Sequence, residues 1–171
     1  MGLYDCLLVG HRGTGKSTTG RELAALGWDV IDLDQKIEEV SGQQCSDLVA
    51  SDPSGFRELE THTLQTLVQD TVQTPRIIVC GAGATKLPDE ALVVWLRREN
   101  WHDTARRERT RLRPDMTFEE EVEWMTTSRE PAWSSRSDFA FDIPVGRSPS
   151  RVADEISDVL RWAKSGGSLA Q

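Results

Sequence analysis

The sequence predicts an α/β fold in which helices cover both faces of a parallel β-sheet. Three observations predict it. The apolar runs, such as Cys6-Leu7-Leu8-Val9 and Ala91 to Leu96, are continuous, as in strands buried on both faces. They alternate along the chain with segments of helical periodicity, as parallel crossovers require. No internal repeat or linker divides the 171 residues, a length suited to one domain with a substantial core.

The elements follow in order. Leu3–Gly10 is a buried strand running into a glycine-rich loop. Residues 16–26 form a helix with Leu23 and Leu26 on one face, stopped by Gly27. Asp29–Asp34 is a short strand ending in two acids. Ser51 or Asp52 caps a helix that carries Pro53 in its first turn and Phe56, Leu59, Leu64, Leu67 and Val68 on its apolar face. Arg76–Ala84 is a strand entering a second glycine turn, and Ala91–Leu96 is a further strand. Residues 100–112 are helical, and 113–125 form a polar, acidic stretch with Pro114 as a breaker. Phe139–Ile143 is the last strand. Val152, Ile156, Val159 and Ala163 give the last helix its apolar stripe, and residues 165–171 form a flexible tail.

Composition bounds the function. Apolar residues make up 37% of the chain and mean hydropathy is −0.46, as in a soluble globular protein. No apolar run approaches the ~20 residues of a bilayer span, and the N-terminus lacks the layout of a signal peptide, so cytoplasm is the expected compartment. Cys6, Cys45 and Cys80 have no metal-binding spacing and are expected as reduced thiols, Cys6 and Cys80 buried in strands. A net charge of −8 argues against nucleic acid, which needs a basic face. Arginines nonetheless crowd between Arg97 and Arg113, either as a solvated helix face or as a local anion site.

Gly10-His11-Arg12-Gly13-Thr14-Gly15-Lys16-Ser17 fits G-x-x-x-x-G-K-[ST]. A strand precedes it and a helix follows, which is the context this phosphate loop requires. Glycines let successive N–H groups turn inward toward phosphate, and the helix offers its positive end to the same anion. Lys16 is placed for the β- and γ-phosphates, and the Ser17 hydroxyl for Mg²⁺. Gly81 and Gly83 do not complete G-x-G-x-x-G, and no N-K-x-D motif marks a guanine nucleotide. A small-molecule kinase fits best in 171 residues.

The chain resembles the shikimate kinases. The resemblance rests on "GHRGTGKSTTGRELA" (Gly10 to Ala24), "DLDQKIEE" (Asp32 to Glu39), "FRELE" (Phe56 to Glu60), "VCGAGA" (Val79 to Ala84), "RLRP" (Arg111 to Pro114) and "SREPAW" (Ser128 to Trp133), in the family's order and spacing. It implies a three-layer P-loop NTPase sandwich with a five-stranded parallel sheet of nucleoside-monophosphate-kinase type. One domain, residues 1–164, would include a substrate-binding helical segment at about 33–61 and a lid at about 113–125. The implied reaction moves the ATP γ-phosphoryl group to the 3-hydroxyl of shikimate, in aromatic amino-acid biosynthesis.

The resemblance also implies roles. Gly13, Thr14, Gly15, Lys16, Ser17 and Thr18 would bind ATP, with Arg106, Arg147 and Pro149 on the adenine side. Asp32 would hold one Mg²⁺ with Ser17; its other reading is a helix cap. Asp34 would orient the attacking hydroxyl or accept its proton; its other reading is a solvated acid. Arg57 and Arg129 would clamp the substrate carboxylate in bidentate fashion, with Glu60 fixing Arg57. Singly, each arginine reads as a surface charge. Gly81, Ala82 and Gly83 would present N–H groups to substrate hydroxyls, and Arg113 would reach the transferring phosphate. Lys16, Asp34 and Arg113 form the implied catalytic set. The implied partners are ATP and shikimate, without nucleic acid or membrane, and the implied state is a monomer.

Three departures stand out. Ala82 lies where the family usually has a glycine, Asp115 and Met116 follow Arg113-Pro114 where leucines are usual, and Trp133 replaces a common tyrosine. A kinase of another hydroxy acid, such as gluconate, would have no need of both Arg57 and Arg129. A non-catalytic sensor would have no need of Lys16, Asp34 and Arg113.

Overall fold

Four consecutive apolar residues, Cys6–Val9, form β1, and every one is buried. This strand can be buried on both faces only at the centre of a sheet, and there it lies. A computed structural model describes residues 5–70, 74–108, 113 and 115–165, with the side chains of 105–108 left out. The other strands are β2 (Asp29–Asp32), β3 (Arg76–Val79), β4 (Leu92–Arg98) and β5 (Phe139–Ile143). The order is β2-β3-β1-β4-β5. All pairings are parallel, with Leu7 opposite Ile78 on one side and Val93 on the other.

The two faces of β1 feed two cores. Leu7 and Val9 join Leu33, Ile37, Phe56 and Trp133 on one face. Cys6 and Leu8 join Leu23, Val152, Ile156 and Leu160 on the other. The first core is covered by α2 (Leu33–Ser41), α4 (Pro53–Gln69) and α6 (Phe118–Arg136), the second by α1 (Lys16–Ala25) and α7 (Pro149–Lys164). The expected three layers and five parallel strands are present.

Local chemistry sets the boundaries. Asp52 caps α4 by accepting from Gly55 N at 3.0 Å, with Pro53 in the first turn as expected. Thr117 and Glu120 close a reciprocal capping box at the start of α6: Thr117 Oγ1 accepts from Glu120 N at 3.2 Å, and Glu120 Oε2 accepts from Thr117 N at 2.7 Å. Ahead of β1, Asp5 accepts from Arg76 Nη2 at 2.7 Å, a buried ion pair that ties β1 to β3.

Several expectations are corrected. The strand expected over 29–34 ends at Asp32, because Asp32 takes up the N–H groups that begin α2. Asp34 therefore stands in the first turn of a helix. The strand expected over 76–84 ends at Val79. From there residues 80–91 reach β4 without a helix, so the strict alternation of strand and helix fails at this step. A short α3 (Cys45–Ser51), which no apolar period announces, joins α2 to α4. Leu26 is not on the core face: it caps α1 at 39% exposure, while Leu23 is buried. Most of the stretch expected as a polar lid over 113–125 belongs to α6, where Met125 is in the core. Within the helix expected over 100–112, α5 (Trp101–Glu108) is described. Leu3, residues 109–112, Pro114 and residues 166–171 of the expected tail lie outside the described residues.

Candidate active site

Parallel strands bring their C-terminal ends to one edge, so the loops after β1, β2, β3 and β5 open on the same side. The phosphate loop follows β1. Gly15 adopts φ 90°, a left-handed conformation that a side chain would resist, and turns the chain into α1. Lys16 is buried and donates from Nζ to the carbonyls of Gly10 at 2.9 Å and His11 at 3.0 Å. An ammonium has three N–H groups, so one remains for a phosphate oxygen. Burial lowers the Lys16 pKa to about 8. Thr14 is buried as well, its hydroxyl donating to His11 O at 2.8 Å, while Ser17 is exposed and Gly13 and Thr18 are partly exposed. Arg98, at the end of β4, braces the loop from outside by donating to Thr14 O at 3.2 Å.

At the end of β2, Asp32 Oδ1 accepts from the N–H groups of Asp34 and Gln35 at 3.0 and 3.2 Å. Asp32 therefore caps α2. Both bonds fall on one oxygen, which leaves Oδ2 for a cation. Asp34 opens on the cleft. Its carboxyl is nonetheless pushed up to about 6, first by reduced contact with water, then by the Asp32 and Glu60 carboxylates, with Lys16 and Arg57 opposing.

Arg57 and Glu60 lie one turn apart on α4, and Arg57 Nη1 donates to Glu60 Oε2 at 2.7 Å. Glu60 is 3% exposed, and its Oε1 has no hydrogen-bond partner. The glycine turn packs directly on this pair. A Cβ on Gly81 would stand 2.8 Å from Glu60 Oε1 and 3.0 Å from Asp34 Oδ1; one on Gly83 would collide with the Arg57 guanidinium. Neither glycine has a positive φ, so close approach is what demands them. Ala82 sits between them, and Ala84 N closes the turn on Gly81 O at 3.2 Å.

Arg129, on α6, is 4% exposed, and its Nη1 has no hydrogen-bond partner. Burial, then the charge of Arg57, lowers its pKa to about 10, so it stays charged at neutral pH. Arg113 is exposed; its Cζ lies 5.0 Å from the Trp124 ring centroid, and Arg129 Cζ lies 5.3 Å from the same centroid. Arg147 forms an ion pair with Glu155 on α7, and Pro149 is the first residue of that helix. The Arg106 side chain lies outside the described residues.

The expected residues thus form one cluster: Lys16, Asp32, Asp34, Arg57, Glu60 and Arg129 are linked by bonds or by mutual charge effects. Arg147, in the loop after β5, is engaged by Glu155. The sequence reading did not single out Arg98 or Glu130 as site residues. Neither charge nor spacing distinguishes them from surface residues.

Comparison with known proteins shows the family and the fold. The family model described as Shikimate kinase matches residues 12–161. A shikimate kinase of Corynebacterium efficiens is 33% identical over 88% of this chain and 92% of that protein. One of Chlorobium phaeobacteroides is 30% identical over 92% and 91%. The solved structure of shikimate kinase from Acinetobacter baumannii in complex with shikimate superposes with a TM-score of 0.78 at 24% identity, covering 95% of each chain. That of shikimate kinase from Aquifex aeolicus superposes with a TM-score of 0.70 at 22% identity, covering 95% of this chain and 99% of that one, and both establish the fold. A family match across most of the chain, with relatives at this identity and coverage, places the chain in the shikimate kinase family.

Proposed function

We propose that this protein transfers the γ-phosphoryl group of ATP to the 3-hydroxyl of shikimate, giving shikimate 3-phosphate and ADP on the route to aromatic amino acids. One observation carries the reading of substrate: the buried Arg129 guanidinium has an unpartnered Nη1 and feels the charge of Arg57. Two cations brought together call for an anion between them, and a carboxylate can accept from both forks.

Phosphoryl transfer asks the protein for positioning and charge neutralisation. Lys16 and the loop N–H groups bind the phosphates. Asp34 holds the attacking hydroxyl, and a carboxyl poised at about 6 accepts its proton at neutral pH. Arg57, fixed by Glu60, and Arg129 hold the substrate carboxylate. The N–H groups of Gly81, Ala82 and Gly83 meet its other hydroxyls. Arg113 moves from Trp124 to the transferring phosphate, and Arg106, Arg147 and Pro149 flank the adenine.

The exposed Ser17 hydroxyl and Asp32 Oδ2 would hold one Mg²⁺, which supplies charge neutralisation at the phosphates. Such an ion would take its other ligands from phosphate and water. Residues of about 33–61 form the substrate-binding segment and about 113–125 the lid region of one domain spanning 1–164, acting as a cytoplasmic monomer. No described helix is long and apolar enough to cross a membrane.

The test is ADP release with and without shikimate. Shikimate-dependent turnover, abolished in a folded Lys16→Ala protein, is expected. Binding of both ligands without turnover would make the chain a sensor. Preference for a neutral polyol would overturn the carboxylate clamp.

A further inference from the structure

His11 occupies a variable position of the phosphate loop, yet its side chain is held from three sides. It is 2% exposed. The ring stacks on Trp101 with centroids 4.0 Å apart and planes at 14°, and meets Trp133 edge-on at 4.9 Å. Its Nε2 lies 2.9 Å from Glu130 Oε1. Burial, then the charges of Arg129 and Lys16, lowers its pKa to about 3, so the ring is neutral at physiological pH. A neutral imidazole beside a carboxylate donates from the facing nitrogen. Nε2 therefore carries the proton, and Nδ1 is left buried without a partner. A phenyl ring would fill the same aromatic slot without leaving a buried nitrogen bare, an unfavourable state. Packing alone does not account for an imidazole here.

Glu130 follows Arg129 on α6, and Trp133 comes one turn later, donating from Nε1 to Ala84 O at 2.8 Å. One helix thus touches the carboxylate clamp, the phosphate loop and the glycine turn. The His11 carbonyl in turn accepts from Lys16 Nζ and from the Thr14 hydroxyl. A single residue joins α6, through its ring, to the phosphate-binding lysine, through its carbonyl. Apolar packing between α6 and the sheet is not directional. A hydrogen bond to a carboxylate is, and phosphoryl transfer is sensitive to alignment: a misplacement near 1 Å can cost about a hundredfold in rate.

We propose that the His11–Glu130 hydrogen bond is the positioning contact that sets the phosphate loop in register with the substrate clamp, aligning the phosphate held by Lys16 with the hydroxyl held opposite Arg129. His11 and Glu130 touch neither substrate and act through Lys16 and Arg129. The proposal rests on the kinase reading.

Three variants test it, beside the double variant. His11→Phe keeps the ring between the tryptophans and loses the bond. Glu130→Ala loses the acceptor at a side chain that is 35% exposed, so folding is expected to survive. Glu130→Gln keeps an oxygen that can accept. The expected result is a kcat about tenfold lower or more in His11→Phe and in Glu130→Ala, no further loss in the double variant, and near-parental kcat in Glu130→Gln. Dissociation constants for ADP and for shikimate, each measured alone, should change by less than about threefold. Additive losses in the double variant, full kcat in His11→Phe, or equal damage from Glu130→Gln and Glu130→Ala would overturn the proposal. Imidazole ¹⁵N shifts read the contact independently of activity. They should report an Nε2–H tautomer in the parent at neutral to mildly alkaline pH, where Glu130, its carboxyl raised by burial, is ionised, and an altered signal in Glu130→Ala. A doubly protonated or Nδ1–H ring in the parent overturns the contact even if the protein proves not to be a kinase. Absence of turnover in a parent with the Nε2–H signal sinks the kinase reading and, with it, the alignment role.

Discussion

The Arg57 guanidinium lies where a Cβ on Gly83 would stand. The two residues come from different elements, α4 and the turn after β3, so their contact fixes how deeply the guanidinium reaches into the cleft. The atoms displaced by a methyl group are the far end of a flexible side chain, but that end is also the partner of the buried Glu60 carboxylate at 2.7 Å. Gly83→Ala should therefore lower the Tm by weakening this pair while raising KM for shikimate about tenfold, as expected for one lost charged hydrogen bond. KM for ATP should hardly change. A parental KM for shikimate would show that Arg57 does not hold the substrate.

Lysine keeps a positive charge but not the planar fork. Arg57→Lys and Arg129→Lys should each raise KM for shikimate, by roughly tenfold to over a hundredfold. Both should leave KM for ATP near its parental value. A shikimate analogue without the carboxylate should bind the parent poorly and be indifferent to either substitution. Steady-state kinetics with both substrates varied separates these effects, and good turnover of the analogue by the parent would refute the clamp.

The pH profile should be bell-shaped. The Asp34 carboxyl, raised to about 6, is protonated below that pH, so its capacity to accept a proton is lost as pH falls. The Lys16 ammonium, lowered to about 8, loses its charge as pH rises past that value. kcat/KM, which reports the free enzyme, should fall on the acid side through the shikimate term and on the basic side through the ATP term. Asp34→Asn should cut kcat strongly, spare ATP binding and remove the acid limb. An acid limb that survives in Asp34→Asn would belong to another group.

Trp124 has two guanidinium groups, of Arg113 and Arg129, near its ring. Indole is the strongest aromatic partner for a cation, and its emission responds to such a charge. Departure of Arg113 toward nucleotide should change tryptophan fluorescence on titration with ADP or ATP, and Trp124→Phe should lose most of that change. An undiminished signal in Trp124→Phe would mean that Arg113 stays in place or that another tryptophan reports.

The legible part of the site was the part with a residue-type requirement. A glycine must stand where φ is 90° and a lysine suits phosphate, so Gly15 and Lys16 declare themselves, whereas Arg57 and Arg129, each a surface charge taken singly, were legible only through the family resemblance. The central strands β1, β3 and β4 were legible because their apolar runs are continuous, while β2 and β5, at the sheet edges, carry acids and are only partly buried. Boundaries were less so. Asp32 can close a strand and open a helix at once, and nothing in "DVIDLD" says that it does both. Leu26 satisfies the helical period by spacing, but the chain turns at Gly27 before the core reaches it. The contacts of His11, Trp124 and Arg98 depend on which elements the fold brings together, and local sequence is silent about that.

The capping box at Thr117 and Glu120 sets a leash. It pins the first turn of α6, and Arg113 stands four residues ahead of that pinned point. Four residues span at most about 14 Å when fully extended. If the bond from Arg113 N to Glu121 Oε1 is released, Arg113 Cα is still confined to a sphere of that radius about Thr117, and any anion it would serve must lie within that sphere plus the length of one arginine side chain. Inserting residues between Arg113 and Thr117 would lengthen the leash without replacing any residue proposed for the site, so the reach of Arg113 is a matter of chain length that can be varied apart from the chemistry.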